Sequence, residues 1–350
     1  MSGGVDSSVV AAILKKRGYT VIGVTMQIWQ ESQKDPRHSG CCSLGAVEDA
    51  RRVARILDVP HYVINYRDAF RQTVIQNFID EYEAGRTPNP CVQCNKHVKF
   101  ESLLQTMHEL GCDYLATGHY ARVRQERSTG EYRLLRSRGG EKDQSYVLYM
   151  LGQDQLKHVM FPLGELGSKV HTRQIARDYG LPVADKPDSQ EICFVSESGG
   201  YREFLRQVNP NAFQSGAIVD ADGKEIGAHA GVADFTVGQR KGIGLTVASG
   251  RPLFVLKLEP SQNRVVVGHE EDLMQSVVQL HEVVWGAGEH NGSVMAKIRY
   301  NMPAMPAKLT RLADDTAEIT FKTPVRAVTP GQIGVVYRGQ SVLAGGTIVA

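Results

Sequence analysis

Over the first half of the chain the apolar positions switch repeatedly between helical and strand spacing. Val9, Val10, Ile13 and Leu14 recur at helical intervals behind Ser7 and Ser8, and Gly18 ends the run after Lys15, Lys16 and Arg17. Basic residues there complement the negative end of a helix. Val21–Met26 reads as a short apolar strand, Ala46–Leu57 as a helix, His61–Ile64 as a strand, Val98–Leu110 as a helix closed by Gly111, and Tyr114–Thr117 as another strand. This alternation predicts an α/β domain, a parallel sheet covered by helices. Beyond residue 205 the pattern changes. Short β-branched runs at Ala217–Val219, Leu253–Leu256, Arg264–Val267, Val294–Ile298, Ala317–Phe321 and Ile333–Tyr337 are separated by Gly, Pro, Asn and Asp, which predicts all-β modules. The stretch Gln275–Val284 marks the passage from a small middle module to a C-terminal barrel.

At 350 residues the chain exceeds what one hydrophobic core organises. The expected division is a nucleotide-binding α/β domain over 1–205, a small β-rich domain over 206–274 and a β-barrel over 275–350. A hydrophobic fraction of 42% with 22% charged residues is ordinary for a globular protein. The formal charge of +2 requires any nucleic-acid surface to come from local patches. No apolar run approaches a membrane span, and no signal-peptide pattern opens the sequence. Six cysteines, several closely paired, point to reactive or metal-binding thiols in a reducing cytoplasm.

The opening Met1-Ser-Gly-Gly-Val-Asp-Ser-Ser8 changes the picture most. Gly3 and Gly4 free the backbone and remove side chains that would keep a phosphate away. The helix behind them turns its unpaired N–H groups and positive dipole end toward the loop. No G-x-x-x-x-G-K-[ST] occurs, which excludes a Walker A loop. An ordinary turn followed by a helix N-cap is the competing reading. A nucleotide loop of this kind should follow a buried strand, and none precedes Met1. The expectation is a start further upstream, the alternative a sheet lacking its central strand.

Two further segments concentrate chemistry. In Gly85-Arg-Thr-Pro-Asn-Pro-Cys-Val-Gln-Cys-Asn-Lys96, a helix is expected to begin near Asn95, placing Cys94 where a dipole, Lys96 and His97 favour the thiolate. Cys91 and Cys94 fit a redox pair, half of a metal site, or two inert thiols. In Gly180-Leu-Pro-Val-Ala-Asp-Lys-Pro-Asp-Ser-Gln-Glu-Ile-Cys-Phe194, Cys193 taken alone reads as a buried core thiol. Arg124, Arg127, Arg133, Arg136 and Arg138 form a basic hairpin, and Gln239-Arg240-Lys241 a basic turn, both suited to phosphate. Adjacent Cys41 and Cys42 read as structural, and Cys112 as core.

Taken in order, Ser2-Gly-Gly-Val-Asp-Ser7, Gly85-Arg-Thr-Pro-Asn-Pro90, Cys94-Asn-Lys96, Ala116-Thr-Gly-His-Tyr-Ala-Arg122, Lys142-Asp-Gln-Ser-Tyr146, Asp188-Ser-Gln-Glu-Ile-Cys-Phe194 and Gly238-Gln-Arg-Lys-Gly-Ile-Gly244 resemble the bacterial tRNA-specific 2-thiouridylases of the MnmA type, members of the PP-loop ATP pyrophosphatase superfamily. The resemblance covers nearly the whole chain. It implies an adenine-nucleotide alpha hydrolase-like (PP-loop) domain, then a β-rich middle domain and a C-terminal β-barrel. It also implies ATP-dependent 2-thiolation of the wobble uridine of tRNA, with AMP and pyrophosphate released. By that resemblance Ser2, Gly3, Gly4, Val5, Asp6 and Ser7 hold ATP with Mg²⁺, and Met26 and Gly118 line the adenosine pocket. Asn89, Pro90 and Cys91 meet the target base. Cys94 is the nucleophile and Cys193 carries a persulfide; Cys94 either joins Cys193 in a disulfide to release the sulfur or attacks directly. His119, Lys142, Asp143, Gln144, Arg299 and Tyr300 touch tRNA. The implied partners are tRNA and an upstream sulfur donor, a cysteine desulfurase or relay protein. Many relatives have Asp where Cys91 stands, which puts a general-base role there in doubt. It also admits a rival, a 4Fe-4S cluster on Cys91, Cys94 and Cys193. A tRNA-binding protein inactivated by loss of its first strand is the non-enzymatic alternative.

Overall fold

The computed structural model describes residues 1–29, 44–140, 142–188, 192–195, 199–210, 213–245 and 251–349; Cys41 and Cys42 lie outside them. The chain divides into two compact units. One comprises Met1–Val74, Cys91–Glu197 and Gln340–Val342, the other Ile75–Pro90, Ser198–Gly339 and Leu343–Ala350.

In the first unit the helical spacing of the opening segment produces α1 (Val5–Lys16). Its Val5, Val9 and Ala12 bury against Val53 of α2 (Leu44–Ile56), Leu163, Ala176 and Leu181. β1 (Gly23–Gln27) runs parallel to β2 (His61–Asn65), Thr25 opposite Val63. β3 (Leu115–Ala116) runs parallel to a strand over Val159–Met160. The parallel arrangement agrees with the alternation in the sequence, and the two pairs form separate sheets among the described residues. The basic segment is an antiparallel hairpin of β4 (Ala121–Gln125) and β5 (Tyr132–Arg136). Its charge is partly neutralised, since Arg124 and Arg138 both pair with Glu165 and Arg133 pairs with Glu126.

The helix expected over Val98–Leu110 starts earlier. Helical backbone runs from Pro90, as α-helix over Pro90–Gln93, π-helix over Cys94–Ser102 and α-helix over Leu103–Glu109. Proline's fixed φ and missing N–H suit the first helical position, so Pro90 initiates the helix. The wide π turns obscure the 3.6-residue period on which the sequence reading depends.

The second unit holds a four-stranded sheet from the strands Gly216–Val219, Glu225–His229, Phe254–Glu259 and Arg264–Gly268. Six more strands, Met274–Trp285, Gly292–Lys297, Met305–Arg311, Ala317–Arg326, Ile333–Arg338 and Ser341–Ile348, curl into a barrel. The first of these pairs with the Ala317 strand on one side and the Ser341 strand on the other, which closes the ring. Closure leaves no unpaired edge among these strands. Inside, Leu280, Ala296, Leu309, Ile319, Phe321 and Val336 form a buried core. No helix of the described residues is long and apolar enough to cross a membrane.

Leu309 is fully buried and Leu312 is 56% exposed, so the two leucines separate barrel packing from composition. Leu309→Ala is expected to lower unfolding free energy by about 2–5 kcal/mol, and Leu312→Ala by no more than about 0.5 kcal/mol. Urea unfolding of the two variants checks this.

Candidate active site at the amino-terminal loop

The loop before α1 is shaped by close approaches. Gly3 has φ +66°, and a Cβ on it would lie 2.2 Å from the carbonyl oxygen of Ala46. Gly118, after β3, reaches the loop from the other side: a Cβ there would lie 2.7 Å from Cβ of Asp6 and 3.0 Å from the amide nitrogen of Ser7. The Ser2 amide donates to Oγ of Ser7 at 3.0 Å, the two hydroxyls stand 3.1 Å apart, and Oγ of Ser8 donates to the Gly4 carbonyl at 2.9 Å. The N-cap is Gly4, and no side chain caps the first turn. Asp6, Ser7 and Ser8 lie inside the helix. Its first N–H groups face the loop as an anion-binding end. Val5 is buried beneath it, and Met26 lies in β1.

A charged network surrounds the loop. Nζ of Lys169 donates to both oxygens of Asp6, at 2.7 and 2.6 Å, and stands 2.9 Å from Oδ1 of Asp188. Tyr120 OH donates to Asp6 at 2.8 Å and stands 2.9 Å from Oγ1 of Thr172, whose hydroxyl is the donor there. Burial and the negative charge of Asp6 push the Tyr120 phenol far above its ordinary range, so it stays a donor. Asp188 also meets Arg173 at 3.1 Å and Lys142 at 3.5 Å. Burial raises the Asp188 carboxyl, but the bond and charge of Lys169, with the charges of Lys142 and Arg173, outweigh it and hold the group below its ordinary 3.8. Nζ of Lys186 donates to the Gly3 carbonyl at 3.0 Å and to Asp49 at 2.8 Å. The sequence reading assigned no role to Lys169, Thr172, Arg173, Lys186 or Tyr120. The available signal was the spacing of Lys169, Thr172 and Arg173, which places all three on one face of the helix Lys169–Asp178.

Cys94 is 9% exposed and opens the π-helical stretch, whereas Cys91 is exposed in the first turn. The helix thus begins at Pro90 and not near Asn95, which puts Cys91 in its first turn and Cys94 a turn further in. Cys193 is half-buried, and the next residue, Phe194, packs against Phe70 and Trp29 at ring distances of 5.7 and 6.3 Å. His119 bonds Oγ1 of Thr117 at 2.7 Å between Phe100 and Phe161. Its surroundings, and then the charge of Lys99, hold it well below its ordinary 6.5, so it is neutral at pH 7. Asp143 accepts from the amides of Ser137 and Ser145 at 3.1 and 3.2 Å, and Gln144 accepts from the Tyr120 amide at 2.9 Å; both bond inward. In the second unit, Asn89 and Pro90 end the Gly85–Pro90 stretch, Arg299 donates to Ala327 and Thr329 at 2.9 Å, and Tyr300 is 40% exposed. Among the described residues no group of three His, Cys, Asp or Glu is arranged to hold a metal ion. Cys91, Cys94 and Cys193 thus do not form the expected three-ligand set for a cluster.

Comparison with known proteins fits this picture. Residues 1–197 match the family described as tRNA methyl transferase HUP domain, residues 202–269 the tRNA methyl transferase PRC-barrel domain, and residues 275–348 the aminomethyltransferase beta-barrel domain. The chain is 49% identical over 352 residues to the tRNA-specific 2-thiouridylase MnmA of Moorella thermoacetica, covering 99% of this chain and 98% of that one. It is 46% identical to the MnmA of Clostridioides difficile, covering 99% and 96%.

Gly3→Ala is expected to weaken ATP binding about ten-fold or more, because the new methyl meets backbone and strains a positive φ; isothermal titration measures this. Asp188 contributes stability that is complete above its unfolded value of 3.8 and disappears as pH falls through its lowered folded value. The melting temperatures of the parent and Asp188→Asn should accordingly differ near neutral pH and converge under acid.

Proposed function

Because the chain belongs to the family of tRNA-specific 2-thiouridylases, we propose that it uses ATP to exchange the C2 oxygen of the wobble uridine of tRNA for sulfur. The observation that carries this is the uncapped start of α1 behind Gly3, where no side chain fits, in the same compact unit as Cys94 and Cys193. The loop offers amides to a triphosphate, and the two thiols supply a nucleophile and a sulfur carrier.

The C2 oxygen is a poor leaving group, so it first attacks the α-phosphorus of ATP. An O–P bond forms and the Pα–O–Pβ bridge breaks, releasing pyrophosphate whose charge the loop amides stabilise. Bound with the triphosphate at the Ser2–Ser7 loop, Mg²⁺ would supply further neutralisation of that charge. Sulfane sulfur from an upstream donor rests on Cys193 as a persulfide. Its terminal sulfur attacks C2, and AMP leaves with the oxygen. The thiolate of Cys94 then attacks Sγ of Cys193, forming a Cys94–Cys193 disulfide and freeing the sulfur on C2 as 2-thiouridine. An external thiol reduces the disulfide for the next turnover.

Asn89, Pro90 and Cys91 are assigned to the target base, and Lys142 with Tyr300 to tRNA. Both Lys142 and Tyr300 keep substantial exposure. Asp143 and Gln144, beside Lys142 in the chain, and Arg299, beside Tyr300, are assigned to tRNA with them. His119, being neutral, would meet RNA by stacking or hydrogen bonding rather than as a cation.

Cys193→Ser is expected to abolish 2-thiouridine while tRNA-dependent pyrophosphate release from ATP continues. Mass spectrometry of the nucleosides together with a pyrophosphate assay reads both, and full thiolation by this variant overturns the assignment.

A further inference from the structure

Lys169 joins two parts of the chain to which the proposed reaction gives different tasks. Asp6 belongs to the loop assigned to ATP, and Asp188 to the Asp-Ser-Gln-Glu-Ile-Cys-Phe stretch that contains Cys193. One ammonium, only 14% exposed in its side chain, contacts both carboxylates, at 2.6–2.7 Å and 2.9 Å. An ammonium carries three donors, enough for both groups at once. Without it, two carboxylates would face each other across the same small space and repel.

The other partners are divided in an informative way. Asp6 keeps the Tyr120 hydroxyl at 2.8 Å, and Asp188 keeps Arg173 at 3.1 Å and Lys142 at 3.5 Å. Each carboxylate therefore has support of its own, and Lys169 is the direct charged link between them. Lys186 adds a second tie, from the stretch just before Asp188 to the Gly3 carbonyl at 3.0 Å.

We propose that Lys169 is a positioning residue for sulfur transfer: by bridging Asp6 and Asp188 it ties the nucleotide loop to Asp188, five residues before Cys193 in the sequence, so that the carbon activated on the loop is the carbon the persulfide reaches. This rests on the adenylation and persulfide reading above. Loss of the bridge leaves activation and sulfur delivery each supported but misaligned, and adenylated tRNA is then lost to water, which returns uridine and AMP.

The test is the amount of pyrophosphate released per 2-thiouridine formed. The full chain is loaded with sulfane sulfur from sodium polysulfide and given ATP, Mg²⁺, unmodified tRNA and a thiol reductant. The parent should give a ratio near one. Lys169→Met removes the charge and keeps the length; its ratio should rise about ten-fold or more, the scale of loss from a small misplacement of reacting groups. Lys169→Arg should restore most of the coupling. Asp188→Asn, which leaves Lys169 on Asp6, should uncouple in the same direction and decides the matter if Lys169→Met fails to fold. A ratio near one in both Lys169→Met and Asp188→Asn overturns the bridge. So does loss of pyrophosphate release together with thiolation, which would make Lys169 part of nucleotide binding. A parent chain that thiolates without releasing pyrophosphate instead brings down the adenylation reading, and the coupling with it.

Discussion

At Gly3 the backbone passes so close to the Ala46 carbonyl that no Cβ can stand between them, and at Gly118 a second segment presses on Asp6 and Ser7 in the same way. These approaches fix the loop from both sides. A left-handed residue with a side chain would cost roughly 1–2 kcal/mol for its conformation alone, before any clash is counted. The consequence is geometric: α1 must start at Val5, its first amides must face the loop, and no side chain is available to satisfy them. A helix end left uncapped in this way has the geometry of an anion site.

The charges around the loop have a different logic. The loop itself carries no lysine; positive charge arrives from Lys169 and Lys186, far along the chain, and both hold protein groups, Asp6 and Asp188 or Gly3 and Asp49. Partly buried ion pairs of this kind add little net stability, because desolvation offsets much of the attraction. Their value is positional. A carboxylate with a cation on each side has few orientations open to it, and Asp188, with three cations around it, is held more firmly than packing alone would hold it.

The second unit meets another constraint. A sheet of short strands with free edges invites pairing with other chains, and the barrel removes its edges by letting the strand Met274–Trp285 pair with two neighbours. That strand shifts register against each of them, as bulges commonly do where a sheet must bend and close. Half-buried Arg299 is tied to Ala327 and Thr329.

What the sequence by itself determined is what short-range spacing can record. The apolar periods located α1, β1, β2 and the β modules, since each period states which face of a local element is buried. The Gly-Gly-Val-Asp-Ser order located the tight loop before α1, since glycine answers to backbone geometry. Local rules failed where a residue's role is set by what it meets. The helix expected to begin near Asn95 opens at Pro90, and the π turns beyond it carry no familiar period. Lys169 and Asp6 lie 163 residues apart, and no spacing rule connects them. Only the packing of α1 against the helix Lys169–Asp178 brings that ammonium to the loop, because a salt bridge depends on distance in space and leaves no pattern along the chain.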